Sequence, residues 1–194
     1  MPTQIESGLQ GVPLSYGDHV CAFYHGPAQR DEIMLPFLRA GMVAGEPCIA
    51  IVDGVPPEEV RRAVDCTRAG APFDVLTPYE AYLVDGRFDT DRMLEFWQAR
   101  VSAALAPGVP GVRAVGEMTW SLRDAPGCDQ LVSYEARLNE FLPLYPQVIL
   151  CLYDLERFSG AAIIGMLSTH PLVLLNGTVR INPYYVPPDA FLAA

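Results

Sequence analysis

The sequence predicts an α/β fold: a three-layer body in which helices cover both faces of a mainly parallel sheet. Three observations carry this. Apolar strand-like runs alternate with helical patterns from residue 19 to residue 182, the order expected of a parallel sheet wrapped by its crossover helices. Two of the runs, Cys48-Ile49-Ala50-Ile51-Val52 and Val148-Ile149-Leu150-Cys151-Leu152, are apolar throughout, as central strands covered on both faces must be. The last two runs are separated only by Asn176-Gly177. Asn-Gly between extended runs is a strong hairpin signal, so the sheet is predicted to finish in a C-terminal antiparallel hairpin at its edge.

The predicted strands are 19–24, 48–52, 73–76, 112–118, 148–153, 172–175 and 178–182. A helix is predicted over 28–44, with Ile33, Phe37, Ala40 and Ala44 on one side and Gly45 as its stop. Pro36 inside that pattern predicts a kink or a late start. Residues 57–69 open with Pro57-Glu58-Glu59, which suits a first turn sterically and electrostatically. Residues 90–106 place Met93, Trp97, Val101 and Leu105 at intervals of four, with Thr90 as the expected N-cap and Pro107-Gly108 as the end. Residues 129–142 carry the stripe Leu131, Tyr134, Leu138 and Leu142, and a last helix, 159–168, opens after Ser159-Gly160. At 194 residues one domain is expected: an N-terminal extension over 1–12, a single domain over 13–188 and a tail over 189–194, with no internal repeat.

Composition narrows the function. The net charge is −10 and all 13 basic residues are arginine. An acidic domain repels phosphate backbones and anionic membranes, so neither nucleic acid nor membrane is an expected partner. The absence of lysine excludes Schiff-base and lysine-base chemistry. It also removes the ammonium of a phosphate-binding loop. The turn after the first strand reads His25-Gly26-Pro27-Ala28-Gln29-Arg30, with one glycine, a proline that donates no N–H and no Gly-Lys-Ser/Thr. ATP hydrolysis by that apparatus is not expected. Five cysteines with no CxxC pair, and an N-terminus without a basic start or apolar stretch, point to a reduced, cytoplasmic setting.

The candidate site residues fall in two groups. At the carboxyl ends of predicted strands, where open α/β sheets bind ligands, stand Tyr24, Glu117 with Trp120, and Tyr153-Asp154. They are expected to line one crevice with carboxylates and an aromatic wall. The second group is His19 and Cys21, which share a strand face, and which His170 and Cys151 join only through the fold. No four-ligand spacing follows in sequence, so neither metal nor cofactor is expected; a hydrogen-bonded histidine beside a packed cysteine is the simpler reading. Glu135 falls inside the apolar stripe of its helix, and a carboxylate directed inward needs a partner; Arg123 and Arg113 are the candidates. Asn182, before Pro183, turns the chain back over the sheet edge.

A series of motifs resembles the MEDS domain, the methanogen/methylotroph sensory domain named for a dichloromethane-responsive repressor. The motifs are Gly17-Asp18-His19-Val20-Cys21-Ala22-Phe23-Tyr24, Leu35-Pro36-Phe37-Leu38 with Gly41 and Gly45-Glu46, Gly116-Glu117-Met118-Thr119-Trp120, Tyr134-Glu135-Ala136-Arg137-Leu138-Asn139, Cys151-Leu152-Tyr153-Asp154 with Phe158-Ser159-Gly160, Thr169-His170-Pro171, and Asn182-Pro183-Tyr184-Tyr185. The resemblance runs from about residue 13 to residue 188. It implies a RecA/KaiC-like fold that has lost its P-loop, and a bacterial sensory or regulatory module for a small, hydrocarbon-derived ligand or a protein partner. It implies no established catalytic residues. Family members join this domain to a helix-turn-helix or histidine kinase; here no residues are left for such an output, so the signal is expected to pass to a separate transcription regulator or kinase. Two other readings stay open: a hydrolase or metal-dependent enzyme using His19/Cys21 or the strand-end carboxylates, and a degenerate nucleotide binder. A homo-oligomer is compatible with all three.

Overall fold

The structure, a computed structural model, describes residues 3–64 and 70–193. Its centre is an eight-stranded sheet. In chain order the strands are β1 (Gln4–Ile5), β2 (Gln10–Gly11), β3 (Leu14–Ser15), β4 (His19–Tyr24), β5 (Cys48–Ile51), β6 (Phe73–Leu76), β7 (Val112–Glu117), β8 (Gln147–Asp154), β9 (Leu172–Leu175) and β10 (Thr178–Ile181). The main sheet has the order β2-β10-β9-β4-β8-β7-β5-β6, and β1 pairs separately with β3. From β9 to β6 every pairing is parallel. The β9–β10 hairpin is antiparallel around Asn176 and Gly177, both at positive φ, the backbone that an Asn-Gly turn supplies cheaply. Outside the hairpin a two-residue strand, β2, pairs in parallel with β10.

The helices are α1 (Gly26–Ala44), α2 (Pro57–Val64), α3 (Thr90–Ala104), α4 (Leu131–Phe141), α5 (Gly160–Thr169) and α6 (Pro188–Leu192). Strand alternation sorts the core into two layers. Val20, Ala22 and Tyr24 of β4 pack with Ile33, Phe37 and Val60 of α1 and α2. Cys21 and Phe23 pack on the other face with Trp97, Tyr134, Leu138 and Met166 of α3, α4 and α5. The three-layer arrangement follows.

Local chemistry explains most boundaries. Helix α1 runs through Pro36 without a break and stops at Gly45, in the left-handed region at φ 77°. The proline is tolerated because Glu32, four residues earlier, lies on the exposed side, where its carbonyl can turn to water. Helix α3 is capped by Asp89, whose carboxylate accepts from Arg92 N at 3.0 Å. Thr90, expected there, instead points its hydroxyl at Gln130 Oε1, 3.2 Å away. Ser159 caps α5. The predicted helix end at 65–69 and Cys66 lie outside the described residues. Short α6 falls in the segment read as a tail. A buried Arg113, on β7, ties α1, the 46–48 turn and the N-terminal segment together through Glu46 Oε2, Phe37 O and Glu6 O.

Candidate functional site

The parallel strands end together, and four carboxyl-end residues converge on the α1 face: Tyr24, Asp53, Glu117 and Asp154. They line a crevice of about 260 Å³ with Pro27, Arg30, Gly54, Thr119 and Arg157. Glu117 is its hub. Its carboxylate accepts from Asp53 N at 2.7 Å and Tyr24 Oη at 3.1 Å, and Arg30 Nη1 lies 3.5 Å away. Burial pushes the Glu117 carboxyl up, more than the Asp53 amide, Arg30 and Tyr24 pull it down. Burial also raises Asp53, but the two-pronged Arg123 contact at 2.7 and 2.8 Å and the Thr119 hydroxyl at 2.9 Å outweigh it and hold the carboxyl below its usual range. Asp154 accepts from Gly26 N at 3.5 Å and Glu156 N at 3.0 Å. The amino end of α1, where a phosphate-binding fold presents bare N–H groups, therefore faces one of the protein's own carboxylates.

Tyr24, Glu117 and Asp154 thus meet as expected, but Trp120 and Tyr153 do not join them. Tyr153 precedes Asp154 on a strand and so points to the opposite face. Trp120 sits in a 3-10 turn (Met118–Leu122) that folds over the α3/α4 side, where its ring stacks on Tyr82 at 4.5 Å. Asn182 is not at the crevice either. Its amide donates to Leu167 O and His170 O and its Oδ1 accepts from Tyr184 N, so it pins the end of the hairpin to the end of α5. Sequence reasoning missed Arg30, Asp53, Thr119 and Arg157. Asp53 was within reach, since it follows an apolar strand as Asp154 does.

The second group lies on the other face, between β4, β8, α4 and α5. Here Glu135 meets neither arginine: Arg113 is across the sheet with Glu46, and Arg123 is with Asp53. Its partners are His19, His170, Cys151 and Tyr153. Glu135 Oε2 lies 3.2 Å from His19 Nε2, 3.5 Å from His170 Nε2 and 3.7 Å from Cys151 Sγ, and Oε1 accepts from Tyr153 Oη at 2.7 Å. The side chains of His19, Glu135 and His170 are wholly inaccessible. Burial lowers His19 to about 4 and His170 to about 3, so both rings are neutral near pH 7, and it raises Glu135. These contacts are therefore not ion pairs. Burial also pushes the Cys21 and Cys151 thiols well up, against the thiolate that nucleophilic catalysis needs. Cys21 pairs in register with Cys151 but stays outside the cluster of donor atoms.

The mainly parallel sheet with helices on both faces, its strand-end carboxylates gathered beside the amino end of α1, defines the class as a three-layer α/β domain. A KaiC-like protein of Pyrococcus horikoshii shares this fold, with a TM-score of 0.60 over 89% of this chain and 80% of that one at 14% identity. Residues 18–171 match the model of the MEDS family, the methanogen/methylotroph, DcmR sensory domain, and the chain belongs to that family. It is 27% identical over 176 residues to the transcriptional repressor DcmR of Methylorubrum extorquens, a match covering 84% of this chain and 61% of the repressor. The chain thus spans under two thirds of that relative. No helix among the described residues is long and apolar enough to cross a membrane.

Proposed function

We propose that this chain is the sensing module of a transcription-regulatory system. It takes a small polar derivative of a hydrocarbon into the strand-end crevice and passes the signal to a transcription regulator or kinase. Family membership supports the sensory role, and the crevice supports the place. The observation that carries the reading is the Asp154 carboxylate facing the amino end of α1. A phosphate there would meet a like charge, whereas a hydroxyl or amine meets Glu117, Asp154 and Tyr24 as hydrogen-bond partners. About 260 Å³ is below the usual range for drug-sized ligands, so the occupant has few heavy atoms. A ligand that takes over the Glu117 contacts loosens Asp53 N and Arg30, which connects occupancy to the 53–55 turn and the first turn of α1.

One observation favours a degenerate nucleotide site instead: Arg30 and Arg157 both face the crevice. A thermal-shift screen separates the two. Short alcohols and amines are expected to raise Tm through mass action, with the effect lost in Glu117→Gln and Tyr24→Phe. Stabilisation by nucleotides with magnesium, and none by the small compounds, would overturn the proposal.

A further inference from the structure

The buried polar cluster has no part in the crevice, and its donors are arranged with more care than a packed core requires. His170 Nδ1 is 2.7 Å from Met166 O. A carbonyl only accepts, so Nδ1 carries the proton and Nε2 is left with a bare lone pair. The Asn139 amide nitrogen donates to the carbonyls of Glu135, Ala136 and Thr169. That fixes Oδ1 toward His19 Nδ1, 3.1 Å away, and makes His19 Nδ1 a donor as well. Both imidazoles are thus locked in the tautomer that presents Nε2 to the same point, each held by an outer hydrogen bond of the type that orients metal-binding histidines. The Tyr153 hydroxyl holds Glu135 in the same way.

What they face completes a donor set. His19 Nε2 is 3.4 Å from Cys151 Sγ and 3.2 Å from Glu135 Oε2, which is 3.5 Å from His170 Nε2. One donor atom from each of the four residues lies within 4.8 Å of the others. Tetrahedral zinc, with bonds to N, O and S near 2.0–2.3 Å, sets neighbouring donors about 3.3–3.6 Å apart. Without an ion the cluster is short of protons. The one thiol proton lies nearest His19 and Glu135, and His170 Nε2 has no hydrogen-bond partner among the described residues. A dication with one thiolate and one carboxylate is neutral overall, which the dry interior tolerates.

We propose that His19, Glu135, Cys151 and His170 form a closed, four-coordinate site for a zinc-class divalent ion, which pins α4 and α5 to the two central strands. Binding releases the Cys151 thiol proton, and the Glu135 proton where present, to solvent. No coordination position is left open, so the ion is structural rather than catalytic. This inference does not rest on the crevice reading; ligand binding and metal binding can fail separately.

The test uses untagged full-length protein. Elemental analysis after chelator-free purification is expected to find about one zinc-class ion per chain. Refolding the wild type with Co²⁺ is expected to give the visible bands of tetrahedral cobalt and a sulfur-to-metal band in the near ultraviolet. Cys151→Ser removes the near-ultraviolet band, His170→Gln weakens metal retention at least tenfold, and Cys21→Ser leaves both unchanged. Metal at background and no cobalt bands in the wild type would overturn the proposal whatever the variants do. So would a near-ultraviolet band that survives Cys151→Ser and is lost in Cys21→Ser.

Discussion

Replacing Arg113 with methionine tests whether the N-terminal half is held by one buried charge. The guanidinium is wholly inaccessible. It donates to Glu46 Oε2 at 2.5 Å, Phe37 O at 2.8 Å and Glu6 O at 2.9 Å, and lies over the Phe37 ring at 4.9 Å. Methionine replaces the stem but none of the donors. Among the described residues Glu46 then keeps only the Tyr16 hydroxyl, at 2.6 Å, and becomes an uncompensated buried carboxylate. Removing one member of such a pair costs about 3–5 kcal/mol. The sharper consequence is a reversal of sign. Glu46→Gln is destabilising alone, because it weakens a charge-assisted contact, but stabilising when added to Arg113→Met, because it removes the stranded charge. Urea unfolding at pH 7, followed by the fluorescence of buried Trp97 and Trp120, gives all four corners of the double-mutant cycle. A cost under about 1 kcal/mol for Arg113→Met, or the same sign for Glu46→Gln in both backgrounds, would refute the reasoning.

Three further outcomes are expected. In chelator-treated protein, His19 and His170 fold with values of about 4 and about 3 against 6.5 for the unfolded chain. Their share of stability is complete above pH 6.5 and falls, by up to about 1.4 kcal/mol per histidine per pH unit, as pH drops toward those folded values. Glu135, raised by burial, works in the opposite sense: its share is complete below the ordinary carboxylate range and is lost as pH rises through its raised value. The net slope between pH 6.5 and 5 is therefore positive, less steep than two histidines alone; urea midpoints independent of pH across that window would contradict it. Asp53→Asn should cost about 1–2 kcal/mol through the Arg123 and Thr119 contacts. The loss should shrink in high salt, because Arg123 is 36% exposed; equal losses at low and high salt would argue against the ion pair. Gly11→Ala should cost about 1–3 kcal/mol, because Gly11 sits at φ +110° and a Cβ there collides with the Val179 backbone. Hydrogen exchange at Val12 N, which donates to Val179 O at 3.0 Å, should speed up in that variant and reports whether β2 has left the sheet.

The strands were legible because burial on both faces writes itself as an unbroken apolar run, as at Cys48–Ile51 and Val148–Leu152. The α5 start was legible because Ser159 caps by a local hydrogen bond. β1, β2 and β3 were not, because two residues are too few to show a period, and β2 pairs with Thr178 and Val179, far away in sequence. Tyr24, Glu117 and Asp154, a third of the crevice's lining, followed from strand ends alone. Trp120 and Tyr153 were misplaced because that rule ignores which face a side chain takes, and alternation sends Tyr153 one way and Asp154 the other.

The buried cluster shows where sequence reading stops. Its donors come from β4, α4, β8 and the end of α5, separated by more than a hundred residues at the extremes, so no spacing announces them. His19, Cys151 and His170 were singled out, to be joined only through the fold; Glu135 gave its own signal, as a carboxylate inside an apolar stripe, and arginine was the natural partner to expect. The fold supplied two neutral imidazoles and a thiol instead. That choice has a physical consequence. An arginine would have matched the carboxylate permanently, leaving nothing for an ion to complete. Histidine and cysteine match it only when a proton or a metal arrives, so an ion bound as proposed above would add a tie between α4, α5 and the central strands. In a domain whose family is sensory, the proposed ion site lies behind β4 and β8, the two strands whose carboxyl ends, Tyr24 and Asp154, line the crevice.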